Sequence, residues 1–263
     1  MARRGVLLPV SRGLPAALLC LLTVWLLPAP SVQADPAPRM VIVIDDLGNN
    51  RRLGEAAINL PGNLTFSVLP GLTWSTHLAE LAHANGREVM LHMPMDNHGR
   101  LPLGPMGLKV DMADSEWRAT LEKALDDVPH AAGLNNHMGS LLTERGEPMT
   151  VVMEALAERD LYFMDSLTSP RSVAYDTARA QGVPALRRQV FLDHEPTDAF
   201  ISGQFSQALA IMERHGWVIM IGHPYPETIE FLEWLLPLLD ETGVEVVTPT
   251  ELIRSQSRLS QAD

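Results

Sequence analysis

The 263-residue chain has a single cysteine, Cys20, and it lies in an N-terminal apolar run rather than in the body of the sequence. A body without thiols gains nothing from disulfides and risks nothing in an oxidising compartment. Positive charge is also scarce, with 20 Lys and Arg against 32 Asp and Glu and a formal net charge of −12. Arg3, Arg4 and Arg12 fall in the first 34 residues, which hold no acid, so the remainder stands at −15. Phosphate backbones and anionic lipid surfaces repel such a chain, which argues against nucleic acid as a partner. The apolar run 14–27 is too short, and too interrupted by Pro15, to span a bilayer comfortably. Beyond Pro38 there is no low-complexity stretch and no internal repeat.

What the N-terminus does contain reads as an address. Three arginines precede the apolar run, and Pro28, Pro30 and Ser31 lead to Val32-Gln33-Ala34, a small-residue cleavage pattern before Asp35. The expectation is a signal peptide over residues 1–34, cut near Ala34. The chain then meets the membrane only during export and works in the periplasm or as a secreted protein. Residues 35–263 are enough for one domain with a large core.

Along that domain, short β-branched runs alternate with longer stretches of helical spacing. Strands are expected at 40–44, 64–69, 88–91, 131–134, 161–164, 189–192, 217–221 and 244–247. Helices are expected at 75–85, 114–126, 149–159, 197–215 and 226–240. In the fourth of these Ile201, Phe205, Ala208 and Met212 form one stripe, and Gly216 ends it. Alternation of this kind implies α/β architecture around a mostly parallel sheet, closed as a barrel or left open. The stretch 96–110, rich in Gly and Pro, reads as a long loop over one end.

The most informative pattern lies at the C-terminal end of each strand. Asp45 and Asp46 follow Ile44, His92 follows Leu91, and Asn135, Asn136 and His137 follow Leu134. Asp165 follows Met164, Asp193 and His194 follow Leu192, and His223 comes just after Ile221. Parallel strands open their C-terminal ends onto one face, so these groups converge on one cavity. Two imidazoles and a carboxylate suit a divalent metal, most often zinc, with a position left for water. Adjacent residues of a regular strand point to opposite faces. For both Asp45 and Asp46 to enter the cavity, the strand must end there and turn. One carboxylate is then free to bind metal and the other to accept a proton. The competing reading of an Asp-Asp pair is a helix cap beside a solvated acid.

These motifs resemble those of the divergent polysaccharide deacetylases, within the broader carbohydrate esterase group. They are Val-Ile-Val-Ile-Asp45-Asp46-Leu-Gly, Leu91-His92-Met-Pro-Met-Asp96, Asn135-Asn136-His137-Met-Gly-Ser140, Phe-Met-Asp165-Ser166, Val-Phe-Leu-Asp193 and Ile-Gly-His223-Pro. The resemblance covers about residues 40–253. It implies a deformed (β/α) barrel of about seven or eight strands, with one of the expected strands outside it. It also implies Asp45 as general base, His223 as general acid, and Asp46, His92 and His137 as metal ligands. Asp96 stands where the broader family has its second metal histidine, which makes it a replacement ligand or a support. The family's Arg-Pro-rich third motif is missing, and residues 135–140 occupy the comparable place.

By that resemblance the chain removes N-acetyl groups from amino sugars of an envelope glycan such as peptidoglycan or a chitin-like polymer, with zinc as cofactor. Asp165 or Asp193 would orient His223 or a metal histidine, and backbone N–H groups near Met138-Gly139 would complete an oxyanion site. Trp74, Tyr175 and Tyr225 are candidate sugar platforms, and His98 and His194 minor candidates at the rim. Two other readings compete. One is a catalytically weak or inactive protein that binds glycan or an envelope partner, suggested by the departures at Asp96 and in the third motif. The other is a metal-dependent amidohydrolase or esterase acting on something other than sugar.

Overall fold

The computed structural model describes residues 37–259. The expected signal peptide, its cleavage position at Ala34 and Cys20 lie outside the described residues. The order begins β1 (Arg39–Leu47), α1 (Arg51–Ile58), β2 (Thr65–Val68), α2 (Ser75–Ala84), β3 (Glu88–Met95), α3 (Asp114–Asp127) and β4 (Ala131–Met138). It continues with α4 (Gly146–Ala157), β5 (Tyr162–Asp165), α5 (Ala174–Ala180), β6 (Ala185–Arg187), β7 (Val190–Phe191) and α6 (Asp198–His215). It ends with β8 (Trp217–Gly222), α7 (Pro226–Glu241), β9 (Glu245–Val246) and α8 (Pro249–Leu259). Among the described residues no helix is long and apolar enough to cross a membrane.

Every strand pair is parallel, and the main path runs β6-β5-β4-β3-β2-β1-β8-β7. Its two ends are consecutive in the chain, separated only by Arg188 and Gln189. Three Cα steps of about 3.8 Å hold Arg187 and Val190 within roughly 11 Å of each other. Laid flat, eight strands about 4.8 Å apart would put those edges about 34 Å apart. The sheet must therefore curl until its ends nearly meet, which gives the deformed (β/α) barrel. At the seam the Arg188 N–H donates to Asp165 O at 3.0 Å and the Gln189 N–H to Ile219 O at 3.0 Å. The strand expected at 189–192 is the short β7 on one edge, and β6 on the other edge was not anticipated. β9 pairs only with β1, off the main path, so the run 244–247 is the strand outside the barrel.

Burial on both faces explains the β-branched runs. Val41 and Val43 of β1, Met90 of β3, Tyr162 and Met164 of β5, Leu186 of β6 and Ile219 and Ile221 of β8 pack together inside the barrel. Met40, Ile42, Ile44, Phe66, Val68 and Phe163 face the helices. Leu252 of α8 joins the inner cluster, and the Thr250 N–H reaches Glu88, the first residue of β3. This helix therefore closes the barrel where the strands begin, and the opposite end is left to the strand-end polar residues.

The expected helices form within a few residues of their bounds. Helices α1, α5 and α8 were not anticipated. In α1, Gly54 resembles a breaker, but a Cβ there would meet Leu78 at 2.6 Å, so its role is to let α1 approach α2 closely.

Candidate active site and metal centre

Alternation along β1 carries Val41, Val43 and then Asp45 into the barrel, where Asp45 is 2% exposed. The same alternation would send Asp46 outward. It does not, because Asp46 has φ +60° and the pairing with β2 gains an extra residue between Ile44 and Leu47. A bulge of this kind bends the strand and re-aims its side chains. A left-handed non-glycine residue carries backbone strain, borne here where both carboxylates must enter one pocket.

Three further strands supply the partners. Asp46 Oδ1 lies 3.1 Å from His92 Nε2 and 2.9 Å from His137 Nδ1, and those two nitrogens are 3.2 Å apart. The ligand atoms of Asp46, His92 and His137 all lie within 4.8 Å of one another, the one such set among the described residues. Tetrahedral zinc with arms of about 2.0–2.1 Å requires ligand separations near 3.3 Å, and the observed triangle is only slightly tighter. Asp46 Oδ1 is buried without a well-aligned hydrogen-bond donor although two imidazole nitrogens face it. A carboxylate oxygen and two imidazole nitrogens at these separations can share one cation, a metal ion or protons in its absence, and the donor set fits a metal.

Asn135 organises this triangle. Its Nδ2 donates to both oxygens of Asp45, at 2.8 and 3.0 Å. Its Oδ1 accepts from Ser67 Oγ at 2.5 Å and lies 2.7 Å from His92 Nδ1. A carbonyl oxygen can only accept, so His92 carries a proton on Nδ1, and Nε2, turned toward Asp46, is the nitrogen left for a metal.

On the other wall, His223 Nδ1 lies 2.8 Å from Asp193 Oδ1, and Asp193 Oδ2 accepts from the His223 N–H at 2.6 Å and Thr228 Oγ1 at 2.7 Å. That fixes the ring with Nε2 facing the pocket, 3.8 Å from Asp46 Oδ2.

Electrostatics separates the two carboxylates. Burial pushes Asp45 above the usual carboxylate range, against the pull of His92, His223 and Asn135. Burial would raise Asp46 too, but His137 and His92 outweigh it and hold that carboxyl far below its ordinary value. Burial pulls His92 down, yet Asp45, Asp46 and Asn135 together raise it to about 9 in the metal-free chain. His223 also ends above the ordinary imidazole value, because Asp193 and the two aspartates of β1 outweigh burial. One acid kept charged beside one with raised proton affinity is an arrangement suited to a ligand and a base.

Other anticipated residues lie around this centre rather than in it. Asp96 Oδ2 accepts from the Val110 N–H at 2.9 Å, and its backbone pairs with Leu108, Leu141 and Leu142, so it anchors both ends of the 96–110 loop. Asn136 ties Ser166 N to Met138 O. Asp165 faces outward, accepting from Leu167 N and Ser172 Oγ. Of the two aspartates considered for orienting a histidine, it is Asp193 that does so. The Gly139 N–H, anticipated as an oxyanion donor, is taken by Met95 O at 3.0 Å and cannot serve. Trp74 packs against His77 and Arg51, and Tyr175 under Arg187. Tyr225 alone of the aromatic candidates is at the pocket, 40% exposed with its ring 5.4 Å from that of His223. His194 lies between Phe191 and Phe200.

The pocket itself encloses about 150 Å³, lined by Asp45, His92, His137 and His223, by Ser166 of the fourth motif, and by Arg188 and Phe191, which were not expected at the site. His137 also borders an adjoining cavity of about 230 Å³ walled by Leu72, Pro94, Pro102, Leu103 and Pro105. A larger space of about 910 Å³ lies near Pro61, Pro237 and Glu245 and contains no histidine. The Arg187-Arg188 doublet at a strand end of an acidic chain was the available signal for the missed cation.

The loops that frame the pocket meet at Glu144. Its Oε1 accepts from Ser169 Oγ at 2.6 Å and Arg171 Nε at 3.1 Å, and lies 3.1 Å from His98 Nε2. Ser169, with Arg171 and His98, lowers the Glu144 carboxyl from 4.5 to about 2. A depressed carboxyl stabilises the fold above its unfolded value and loses that contribution as pH falls through the folded one. Glu144→Ala is therefore expected to lower Tm modestly at pH 6, with the gap to wild type closing between pH 4.5 and 2. Thermal unfolding across that range checks it, and a gap unchanged at pH 2 would refute it.

The sequence matches the family described as divergent polysaccharide deacetylase over residues 42–253. It is 35% identical to the uncharacterized protein YibQ of Escherichia coli K12, over 81% of this chain and 71% of that one. An uncharacterized protein from Agrobacterium tumefaciens C58 superposes with a TM-score of 0.79 at 23% identity, covering 83% of this chain and 90% of that one. A mutant of the peptidoglycan deacetylase PdaC of Bacillus subtilis superposes with a TM-score of 0.54 at 11% identity, covering 86% and 96%. At such identities these two structures speak to the fold alone.

Proposed function

The chain belongs to the divergent polysaccharide deacetylase family, and from that premise we propose that it hydrolyses N-acetyl groups on amino sugars of an envelope glycan, after export from the cytoplasm. The observation that carries this reading is the meeting of Asp45, Asp46, His92, His137 and His223, from three strands and the end of a fourth, in one small pocket. Asp46, His92 and His137 would hold a divalent cation, most simply zinc. When bound, the cation supplies Lewis acidity and lowers the pKa of water.

The chain's own groups do the rest. Asp45, with raised proton affinity, takes the proton from the attacking water. Its carboxylate is held by Asn135, which therefore sets the base and the His92 tautomer together. His223, protonated and fixed by Asp193, delivers a proton from Nε2 to the leaving amine. Tyr225 offers an apolar face at the rim for a sugar ring.

Elemental analysis and acetate release from chitooligosaccharides and peptidoglycan fragments test the scheme together. About one equivalent of metal is expected in the wild type. Asp46→Ala and His137→Ala should each lose most of it, and activity with it. A fully active chain that retains no metal would sink the proposal. So would a metal-loaded chain that releases no acetate from any of these substrates.

A further inference from the structure

Arg188 stands at the pocket without a carboxylate in direct contact, although Asp45 and Asp165 are near enough to attract it. Leu186 of β6 faces the barrel interior, and strand alternation carries the same orientation to Arg188 at the strand end, among the lining residues. Its Nε donates to Ser166 O at 2.6 Å and its Nη2 to Leu167 O at 3.0 Å. The guanidinium lies over the Phe191 ring, 4.9 Å from the centroid. A guanidinium has five N–H donors, so most of the fork is uncommitted while its plane is already fixed. Among the described residues Arg188 forms no ion pair. The natural candidate, Asp45, gives both its oxygens to Asn135 instead.

Beside it, Ser166 Oγ is buried without a hydrogen-bond partner. An orphan hydroxyl costs about 1–3 kcal/mol unless something satisfies it. Arg188 is half-buried, and the carboxylates of Asp45 and Asp165 attract it without pairing with it, so its free N–H donors have no ionic partner in contact. Both sit on the wall of a cavity with room for about five waters at ~30 Å³ each. A planar guanidinium with a hydroxyl at its side matches a carboxylate in shape and charge.

We propose that Arg188 and Ser166 form a carboxylate-binding subsite, so that the substrate is an N-acetylated amino sugar bearing an acidic substituent. The sugar in this statement rests on the hydrolase reading above, whereas the preference for an acid rests on the pocket. The exposed acids of the chain oppose it little, because they are screened beyond about 8 Å at physiological ionic strength, and His92 and His223 stand beside Asp45, the buried acid of the same pocket.

The test is calorimetric binding of two acids, N-acetylmuramic acid and N-acetylglucosaminuronic acid, each beside its methyl ester, to zinc-loaded protein. Wild type is expected to bind at least one acid tenfold or more tightly than its ester. Arg188→Met should bring acid and ester together. Ser166→Ala, which keeps the cation and is the milder change to the fold, should narrow the preference several-fold. Equal binding of acid and ester by wild type, no binding of any probe at millimolar concentration, or a preference that survives Arg188→Met would each overturn the subsite. Acetate release measured on the same compounds separates the two readings. Release without preference keeps the hydrolase and removes the subsite, whereas preference without release keeps the subsite and removes the hydrolase.

Discussion

Asp45→Asn is expected to lower acetate release by about 10²–10⁴-fold, the usual contribution of a positioned general base, with metal content unchanged by elemental analysis. The prediction depends on Asp45 being a neighbour of the metal triangle and not a member of it. Its Oδ2 is 3.6 Å from His92 Nε2, whereas Asp46 Oδ1 is 3.1 Å from the same nitrogen. Asparagine also brings a local conflict. Asn135 cannot turn its amide over, because its Oδ1 is held by Ser67 and His92, so its Nδ2 would face a second NH₂ group. Some loss of stability should accompany the loss of turnover, and a melting curve with metal bound separates the two effects. Turnover within about threefold of wild type would remove Asp45 from the mechanism.

Much of this centre was legible in the sequence because strand alternation and parallel topology are simple rules. Once 40–44, 88–91, 131–134 and 217–221 are strands of one parallel sheet, their C-terminal residues must share a rim. The need for a turn at Asp45-Asp46 followed from the same two-residue period, and the structure meets it with a positive φ and a bulge.

What escaped the sequence has physical causes as well. The division of Asp193 from Asp165 depends on strand parity after short strands, where one residue of register decides which face a side chain takes. Asp96 occupies a motif position, yet its carboxylate is taken by a backbone N–H fourteen residues away, a loop closure that no local pattern announces. Arg188 lies in the two-residue seam between the edges of the curled sheet, so its place in the pocket is visible only once the barrel closes. Asn135 reads as an ordinary polar strand end. Its hold on both Asp45 and His92 appears only when the four strands β1 to β4 are set side by side.

Asp193→Asn should be nearly as damaging as loss of the base, by about 10²–10⁴-fold in kcat near pH 8, again with metal retained. Asp193 accepts three hydrogen bonds through two oxygens, from His223 Nδ1–H, the His223 N–H and Thr228 Oγ1. An asparagine has one accepting oxygen. If that oxygen keeps the backbone N–H and Thr228, its NH₂ faces Nδ1 and forces the imidazole into the other tautomer, the kind of error that cripples a catalytic histidine. The loss of negative charge matters as much. Burial acts to lower the His223 pKa, and the Asp193 bond and charge are the main forces against it. Without them only Asp46 and Asp45 oppose burial, so the ring's proton affinity drops and less of it is protonated at pH 8 to serve a leaving amine. The defect should therefore shrink as pH is lowered, because the variant's His223 regains its proton there. A variant that has merely loosened the β7–β8 edge would be impaired by the same factor at every pH. Parallel pH–rate profiles for wild type and variant would accordingly show that Asp193 holds the fold together rather than tuning the acid.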